Sequence, residues 1–203
     1  MLVTSGVEFK AILDFPCGFG RVARRLVAAF PDSHTTACDI DADMVSFCAK
    51  EFACTPLLSR VNFDELEFDR KFDLIWCGSL FTHLPEHKFR DCPALLSRAL
   101  PPNGAAIFTI HGRHSHQFGR DKYLPASRFA KVQREYEEVG FGYEDYSDSH
   151  SAHTNNYGIT LSAPAYIAEA ISTDMSIRMV SFTERGWLDH QDVVAVQKRP
   201  VTD

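Results

Sequence analysis

Residues 10–20 have the sequence Lys10-Ala11-Ile12-Leu13-Asp14-Phe15-Pro16-Cys17-Gly18-Phe19-Gly20, and this stretch decides the fold. A short apolar run ends at Asp14 and passes at once into a turn that contains one proline and two glycines. From Gly20 onwards the apolar residues recur at helical spacing, until Pro31 ends the helix. A strand that enters a helix through a glycine turn is the first unit of a βαβ fold.

The same alternation continues as far as residue 111. Further strands are predicted at 34–38, 55–59, 72–77 and 105–111, and helices at 41–52 and 86–100. The strand at 72–77 is almost uninterruptedly apolar, which is typical of a parallel strand buried on both faces. This order of elements favours a doubly wound, mostly parallel sheet with right-handed crossovers.

The regular alternation of predicted strands and helices stops between residues 113 and 160. This segment holds four histidines and many aromatic residues, among them His114, His116, His150, His153, Tyr123, Tyr136, Phe141, Tyr143, Tyr146 and Tyr157. One helix is expected at 127–139, ended by Gly140. We interpret the segment as a substrate lid inserted after strand five, because its aromatic residues suit an acceptor pocket.

Regular elements resume after the insertion, with a helix at 164–171 and strands at 177–183 and 193–198. The short connection between these strands requires an antiparallel pair. The prediction for residues 1–203 is therefore a single α/β domain. Its sheet is doubly wound and seven-stranded, mostly parallel with an antiparallel last strand.

Composition limits the class of protein. The chain has 203 residues, of which 45% are hydrophobic and 24% charged, as in an ordinary globular domain. Its formal net charge of −6 opposes non-specific attraction to nucleic acid or to an anionic membrane. Six cysteines without a CxxC pair indicate small buried groups in a reducing compartment. We expect a cytoplasmic protein with no membrane segment and no nucleic-acid partner.

The strand exits predict a nucleoside site. In an open α/β sheet the ligand lies beyond the carboxyl ends of the strands. Gly18 and Gly20 allow a close approach of the backbone, and Asp39, 19 positions after Gly20, can accept hydrogen bonds from ribose hydroxyls. A dinucleotide fingerprint would need a glycine at Pro16 and a third glycine after Gly20. The carboxylate of Asp14 would repel a pyrophosphate but suits a ligand with an ammonium group.

Four motifs together resemble the class I S-adenosylmethionine-dependent methyltransferase family. Residues 14–20 are similar to its first motif, D/E-x-G-x-G-x-G, and residues 37–41 to its acidic ribose motif. Residues 72–78, followed by 82–85, resemble its fourth-strand motif, and residues 100–105 its turn before strand five. The resemblance covers about residues 10–111. Pro16 departs from the first glycine, and Pro102-Asn103-Gly104 departs from the usual glycine pair.

The resemblance implies that the cofactor is S-adenosylmethionine. It implies that Asp39 holds the ribose, that Ile40 packs on the adenine, and that Gly78 and Ser79 lie near the methionine end. The residues expected at the cofactor are Asp14, Pro16, Cys17, Gly18, Gly20, Arg21, Asp39, Ile40, Asn62, Phe63, Gly78 and Ser79. Phe63 is equally well explained as an ordinary core aromatic.

Methyl transfer from a sulfonium is an in-line displacement, so a protein contributes mainly by aligning donor and acceptor in a dry site. A hydroxyl or amine acceptor also needs a base, for which His111 and His83 are the candidates. Each histidine also fits a structural role. Arg113, Tyr157 and His190 are the candidate substrate contacts. The histidines at 111–116 have no acidic or cysteine partner within their segment, so no metal is expected.

The acceptor is predicted to be a small molecule, methylated on oxygen or nitrogen and either sugar-like or derived from an amino acid. The Asn/Asp-Pro-Pro-Tyr/Phe motif of amino-group DNA methyltransferases is absent after strand four. Two alternatives stay open. One is a nicotinamide-dependent oxidoreductase on the same fold, and the other is a non-catalytic nucleoside-binding scaffold.

Overall fold

The computed structural model describes residues 8–118, 124–146 and 156–200. The seven strands of its main sheet are β1 (Ala11–Asp14), β2 (His34–Asp39), β3 (Thr55–Leu58), β4 (Leu74–Cys77), β5 (Ala105–Ile110), β8 (Ile177–Trp187) and β9 (Gln191–Lys198). They lie side by side in the order β3-β2-β1-β4-β5-β9-β8. The first five are parallel, and β9 runs antiparallel to both β5 and β8. The predicted fold class is confirmed.

Helices cover both faces of this sheet. They are α1 (Ala23–Ala29), α2 (Ala42–Phe52), α3 (Glu86–Ala99) and α6 (Pro164–Ser172), with a short 3-10 helix at Phe63–Glu65. Aromatic side chains dominate the larger core cluster, in which Phe72, Phe89 and Phe108 are almost completely buried. A smaller cluster lies between β2, α1 and α2 and contains Cys48 and Ala23. All six cysteines are buried free thiols.

The insertion after β5 folds against the sheet. It contains α4 (Arg113–Phe118), α5 (Ala126–Val139), β6 (Phe141–Asp145) and β7 (Gly158–Ser162), and β6 and β7 pair antiparallel as a separate two-stranded sheet. Gly140 ends α5 in the left-handed conformation, with φ of 79°. Tyr123, His150 and His153, which belong to the predicted lid, lie outside the described residues.

Backbone hydrogen bonds join β7 to the exits of β4 and β5. The amide of Gly158 donates to the carbonyl of His83, the amide of Thr160 to Thr82, and the amide of Ser162 to His111. The hydroxyl of Thr160 adds a bond to the carbonyl of Leu84. The insertion therefore fixes the two segments in which the candidate catalytic histidines lie.

The final hairpin is longer than predicted. Residues 184–192 were expected to be a connection, but β8 runs to Trp187 and β9 begins at Gln191. Two register shifts interrupt β8, between Met179 and Ser181 and between Thr183 and Trp187, and they break the alternation that would identify a strand. Asp192, which was expected in the turn, lies in β9 opposite Ile110 and is buried.

Candidate active site

A cleft of about 570 Å³ opens beyond the carboxyl ends of β1, β2 and β4. This is the point at which the order of the parallel strands reverses, between β1 and β4. The volume lies in the range of small-molecule sites, which is about 300–1,000 Å³. The residues that line the cleft are Phe15, Pro16, Cys17, Gly18, Phe19, Arg21, Val22, Asp39, Ile40, Asp41, Met44, Ser59, Arg60, Val61, Phe63, Trp76, Gly78, Ser79, Leu80, Leu84, Lys88, Asn156, Tyr157 and Trp187.

The loop after β1 forms the floor of the cleft. Gly18 and Gly20 both have positive φ, 51° and 71°, a conformation that glycine adopts without a steric penalty. A Cβ on Gly20 would overlap the ring of Phe52 in α2, whereas a Cβ on Gly18 would meet nothing within 4 Å. Gly20 is therefore required for packing on α2, and the missing side chain of Gly18 leaves room for a ligand.

The carboxylate of Asp39 connects this loop to the end of β2. Its Oδ2 accepts a hydrogen bond from the amide of Gly18 at 2.9 Å, and its Oδ1 accepts from the amide of Asp41 at 3.1 Å. The amide of Cys17 donates to the carbonyl of Cys38, at 2.9 Å. Because each carboxylate oxygen has two lone pairs, Asp39 can still accept hydrogen bonds from a diol in the cleft.

Asp14 lies beneath the loop instead of in the cleft. Its side chain is 1% exposed, and no side chain or backbone amide of the described residues makes a regular hydrogen bond to its carboxylate oxygens. Burial raises its pKa to about 7, the charge of Asp39 adds to the rise, and the Ala23 amide and Arg21 oppose it. A direct contact between this carboxylate and a ligand in the cleft does not fit that position.

The other residues expected at the cofactor divide into two groups. Those that line the cleft are Pro16, Cys17, Gly18, Arg21, Asp39, Ile40, Phe63, Gly78 and Ser79. Gly20 faces α2, and the side chain of Asn62 donates to Glu65 at 2.8 Å across the start of the 3-10 helix, so neither lines the cleft. The thiol of Cys17 stays protonated, because burial raises its pKa far above its ordinary value.

Two tryptophans form a wall that the sequence did not indicate. The rings of Trp76, in β4, and Trp187, at the end of β8, have centroids 4.7 Å apart, and the guanidinium of Arg21 lies 5.8 Å from the centre of Trp187. Trp187 was overlooked because it lay in the segment interpreted as a connection. Trp76 was within the predicted strand, but alternation alone does not show which side chain of a fully buried strand faces a cleft.

The candidate catalytic histidines occupy different surroundings, and neither lines the cleft. His83 stacks on Tyr157, with ring centroids 4.6 Å apart, and Tyr157 is part of the lining. The Nδ1 of His83 lies 2.7 Å from the carbonyl oxygen of Gly158, which can only accept. The proton of a neutral His83 therefore sits on Nδ1, and Nε2 carries the lone pair that a base needs.

His111 is 7% exposed and lies behind Gln191. Burial lowers its pKa to about 3, and the neighbouring His83 and His190 lower it further, so the ring is neutral at pH 7. A group with so low a pKa is a weak proton acceptor. The structure therefore offers His111 no direct contact with an acceptor in the cleft.

Of the candidate substrate contacts, Tyr157 lines the cleft and the other two do not. Arg113 is exposed and pairs with Glu184, with Nε 2.5 Å from the carboxylate oxygen. His190 lies in the turn between β8 and β9, with its ring centroid 5.1 Å from that of His111. The sequence positions of these residues, close to the predicted strand exits, suggested contact with a substrate. They did not show that Arg113 pairs with the carboxylate of Glu184.

Residues 12–104 match the family described as a methyltransferase domain. These residues contain the β1 loop, Asp39 and the exit of β4, which together form most of the cleft described above. This part of the chain is therefore a methyltransferase domain, and the fold is that of the class I S-adenosylmethionine-dependent methyltransferases.

Curated relatives of this chain are malonyl-[acyl-carrier protein] O-methyltransferases. The protein from Acetivibrio thermocellus is 26% identical over 135 residues, which cover 62% of this chain and 44% of the relative. The protein from Priestia megaterium is 28% identical over 116 residues, which cover 53% of this chain and 39% of the relative. The chain thus spans less than half the length of these relatives.

Solved structures share the fold. A S-adenosylmethionine-dependent methyltransferase from Clostridium acetobutylicum has a TM-score of 0.63 and 16% identity, over 94% of this chain and 85% of the other. The N-methyltransferase NodS from Bradyrhizobium japonicum, in complex with S-adenosylhomocysteine, has a TM-score of 0.59 and 12% identity, over 98% and 83%.

Within the described residues 8–118, 124–146 and 156–200, none of the helices has the length and apolar character needed to cross a bilayer. Within the same ranges, the His, Cys, Asp and Glu side chains form no group of three or more that could hold a metal ion.

Replacement of Asp39 by alanine should weaken binding of S-adenosylhomocysteine by about 1.5–3 kcal/mol, because it removes acceptors for the ribose and releases the loop. Isothermal titration calorimetry measures the change. Asp43→Ala, which removes an equal charge from the exposed side of α2, is the matched control and should bind like the wild type. Equal affinities of the Asp39 and Asp43 variants would contradict the role of Asp39.

Asp14 should make stability depend on pH. Its pKa is about 7 in the folded protein, against an ordinary 3.8. Between those values the folded protein keeps a proton that the unfolded chain has lost, so stability falls as the pH rises from about 4 to about 7. Asp14→Asn stays neutral and should therefore gain up to about 4 kcal/mol over the wild type across this range.

Urea unfolding of both proteins at about pH 4 and about pH 7.5 measures the gain. Asp43→Asn, at an exposed position, is the control and should show no comparable change. A difference between Asp14→Asn and the wild type that is the same at both pH values would contradict the buried, proton-binding state of Asp14.

Proposed function

We propose that this chain transfers the methyl group of S-adenosylmethionine to a small-molecule acceptor, by O- or N-methylation. The observation that carries the proposal is the hydrogen bond between the Gly18 amide and Asp39. It holds the glycine loop and the Asp39 carboxylate together at one end of a cleft whose volume suits a small molecule, and this supports the proposal. NodS and the glycopeptide N-methyltransferase MtfA, which share the fold, were solved with S-adenosylhomocysteine.

The proposed cofactor site runs from Asp39 to Ser79. Asp39 accepts the ribose hydroxyls, and Ile40, Val61 and Phe63 give apolar contacts on the adenine side. At the other end, the exit of β4 receives the methionine portion beside Ser79. When bound, S-adenosylmethionine supplies an electrophilic methyl group on a sulfonium.

The proposed acceptor site is the remaining part of the cleft. Trp76, Tyr157 and Trp187 provide ring faces, and Leu80 and Leu84 make this part apolar, which favours a dry site for displacement. The charged residue Lys88 also reaches the lining. Its ammonium donates to the carbonyl of Val61 at 3.0 Å, and burial lowers its pKa. Sugar-like and amino-acid-derived acceptors both suit ring faces next to a few polar groups.

His83 is the proposed general base. Its Nδ1 is fixed by the carbonyl of Gly158, its ring stacks on Tyr157, and Tyr157 borders the acceptor part of the cleft. His83 is half-buried next to the cleft and outside its lining, so this role requires the acceptor's hydroxyl or amine to reach past the edge of the Tyr157 ring. His111 is not given this role, because it is buried behind Gln191.

The relatives support a second candidate acceptor. Their names specify a malonyl group on an acyl carrier protein and O-methylation. A carboxylate acceptor is already ionised at neutral pH and needs no base. The two candidate acceptors can be told apart by kinetics, because the rate of methyl transfer to a carboxylate would not depend on His83. A cytoplasmic location without a nucleic-acid partner remains part of the proposal, supported by the buried free thiols and the net charge of −6.

The first test separates the proposed cofactor from a nicotinamide. S-adenosylhomocysteine at about 100 times its Kd should raise Tm by roughly 5–10 °C, and NADH should leave it unchanged. Turnover is then measured with S-adenosylmethionine labelled in the methyl group, against free hydroxyl and amine acceptors and against a malonyl-loaded carrier protein. Stabilisation by NADH alone would refute the proposal, and S-adenosylhomocysteine binding without transfer to any acceptor would favour a non-catalytic scaffold.

His83→Asn should lower kcat by about 100-fold or more with a hydroxyl or amine acceptor, because it removes the base. The asparagine amide can still donate to Gly158, so the local backbone is retained. Affinity for S-adenosylhomocysteine should not change. Unchanged kcat with a hydroxyl or amine acceptor would remove His83 from the mechanism, and unchanged kcat with a carboxylate acceptor is the expected result for the second candidate.

A further inference from the structure

Ser79 is held in an unusual backbone conformation at the edge of the cleft. Its φ is 61°, in the left-handed region that non-glycine residues rarely adopt. The amide of Ser79 donates to the hydroxyl of Thr109 at 2.8 Å, and its carbonyl accepts from the hydroxyl of Thr82 at 2.9 Å. Strained conformations persist where the surroundings fix them, and they concentrate at functional sites.

The side chain of Ser79 begins a chain of polar groups that leads away from the cleft. Its Oγ donates to the Oε1 of Gln191 at 3.2 Å. The Nε2 of Gln191 lies 3.4 Å from the Nε2 of His111, in the buried interior. Gln191 and His111 are buried, and neither lines the cleft. Gln191 and His111, which lie outside the cleft, are thus connected by hydrogen bonds to Ser79, which lines it.

The chemistry of the paired atoms gives the direction of these hydrogen bonds. The His111 ring is neutral, because burial lowers its pKa. The Nε2 of Gln191 can only donate, so the Nε2 of His111 accepts and the ring proton is on Nδ1, which has no regular hydrogen-bond partner among the described residues. The amide nitrogen of Gln191 then donates to His111, and its oxygen must face Ser79.

In this arrangement Ser79 donates its hydroxyl hydrogen to Gln191, and the lone pairs of the Ser79 oxygen can accept a hydrogen bond from a ligand. An ammonium group can only donate, so it requires an acceptor such as this one. The reversed arrangement would give Ser79 a free hydroxyl hydrogen, which would suit a carboxylate instead. The direction of two buried hydrogen bonds therefore selects which group of an amino acid Ser79 recognises.

We propose that Gln191 is a positioning residue that fixes the Oγ of Ser79 as a hydrogen-bond acceptor for the ammonium group of S-adenosylmethionine. His111 acts through Gln191, by holding its side-chain amide in this orientation. The proposal rests on the proposed function, because it assumes that the cofactor's methionine end lies beside Ser79. It gives the buried His111 a role that does not require contact with an acceptor.

The test compares two ligands by isothermal titration calorimetry. One is S-adenosylhomocysteine, and the other is its analogue in which hydrogen replaces the α-amino group. The wild type should prefer S-adenosylhomocysteine by about tenfold or more, because hydrogen bonds to charged groups are the stronger ones. In Gln191→Met and in Ser79→Ala this preference should fall severalfold, while affinity for the desamino analogue stays within about twofold of the wild type.

Gln197→Met is the matched control, because it makes the same substitution on the same strand, at a residue that bonds to Asn103 and Arg178 away from the cleft. It should keep the wild-type preference. The Ser79→Ala and Gln191→Met double variant should lose no more preference than Ser79→Ala alone, since the two residues act as one unit. Circular dichroism establishes that each variant is folded, and Ser79→Ala tests the site independently if Gln191→Met does not fold.

The outcomes separate the two proposals. A wild type that binds neither ligand would refute the proposed function. A wild type that binds S-adenosylhomocysteine, with Gln191→Met discriminating as strongly as Gln197→Met, would refute the positioning role and leave the cofactor assignment intact. Equal loss of both ligands in Gln191→Met would also refute it, because a purely structural defect lowers the two affinities together.

Discussion

The structure depends on one buried carboxylate at the end of β2. Asp39 is almost completely enclosed, and a buried charge is tolerated only if it is hydrogen-bonded. Its two oxygens accept from the amides of Gly18 and Asp41, which belong to the turns after β1 and β2. The requirement to satisfy this charge therefore holds the two turns together at this end of the cleft.

The opposite end of the cleft is formed by the last part of the chain. The antiparallel placement of β9 beside β5 brings Gln191 behind Ser79, and the long β8 brings Trp187 against Trp76. The insertion reaches the same region through the bonds of β7 to residues 82–84, and Tyr157 precedes β7 directly. Residues far apart in sequence thus form the proposed acceptor side, whereas the proposed cofactor side comes from consecutive strand exits.

This division explains how much of the site the sequence could predict. The ends of β1 and β2 were predictable because strand, glycine turn and helix follow each other locally, and Asp41, at which the second helix was predicted to begin, caps α2. The fold followed from the same alternation. Trp187 and Gln191 were not predictable, because register shifts in β8 hide the strand and because a pattern of burial does not say which element lies behind which.

The individual residues show the same limit. Asp14 was expected to contact a ligand but lies under the loop. The spacing of residues along the sequence does not show to which side of a turn a side chain points. Arg113 was expected at the acceptor but pairs with Glu184, 71 positions away along the chain. His111 was placed correctly at the end of strand five, but the polar chain through Gln191 that separates it from the cleft depends on β9.

The position of the ligand in a crystal structure of the protein with S-adenosylhomocysteine decides whether Asp39 holds the ribose. We expect both ribose hydroxyls within hydrogen-bond distance of the Asp39 carboxylate, and the amino-acid end of the ligand beside Ser79. A ligand bound with its ribose away from Asp39, or reversed so that the adenine lies at Ser79, would contradict this expectation.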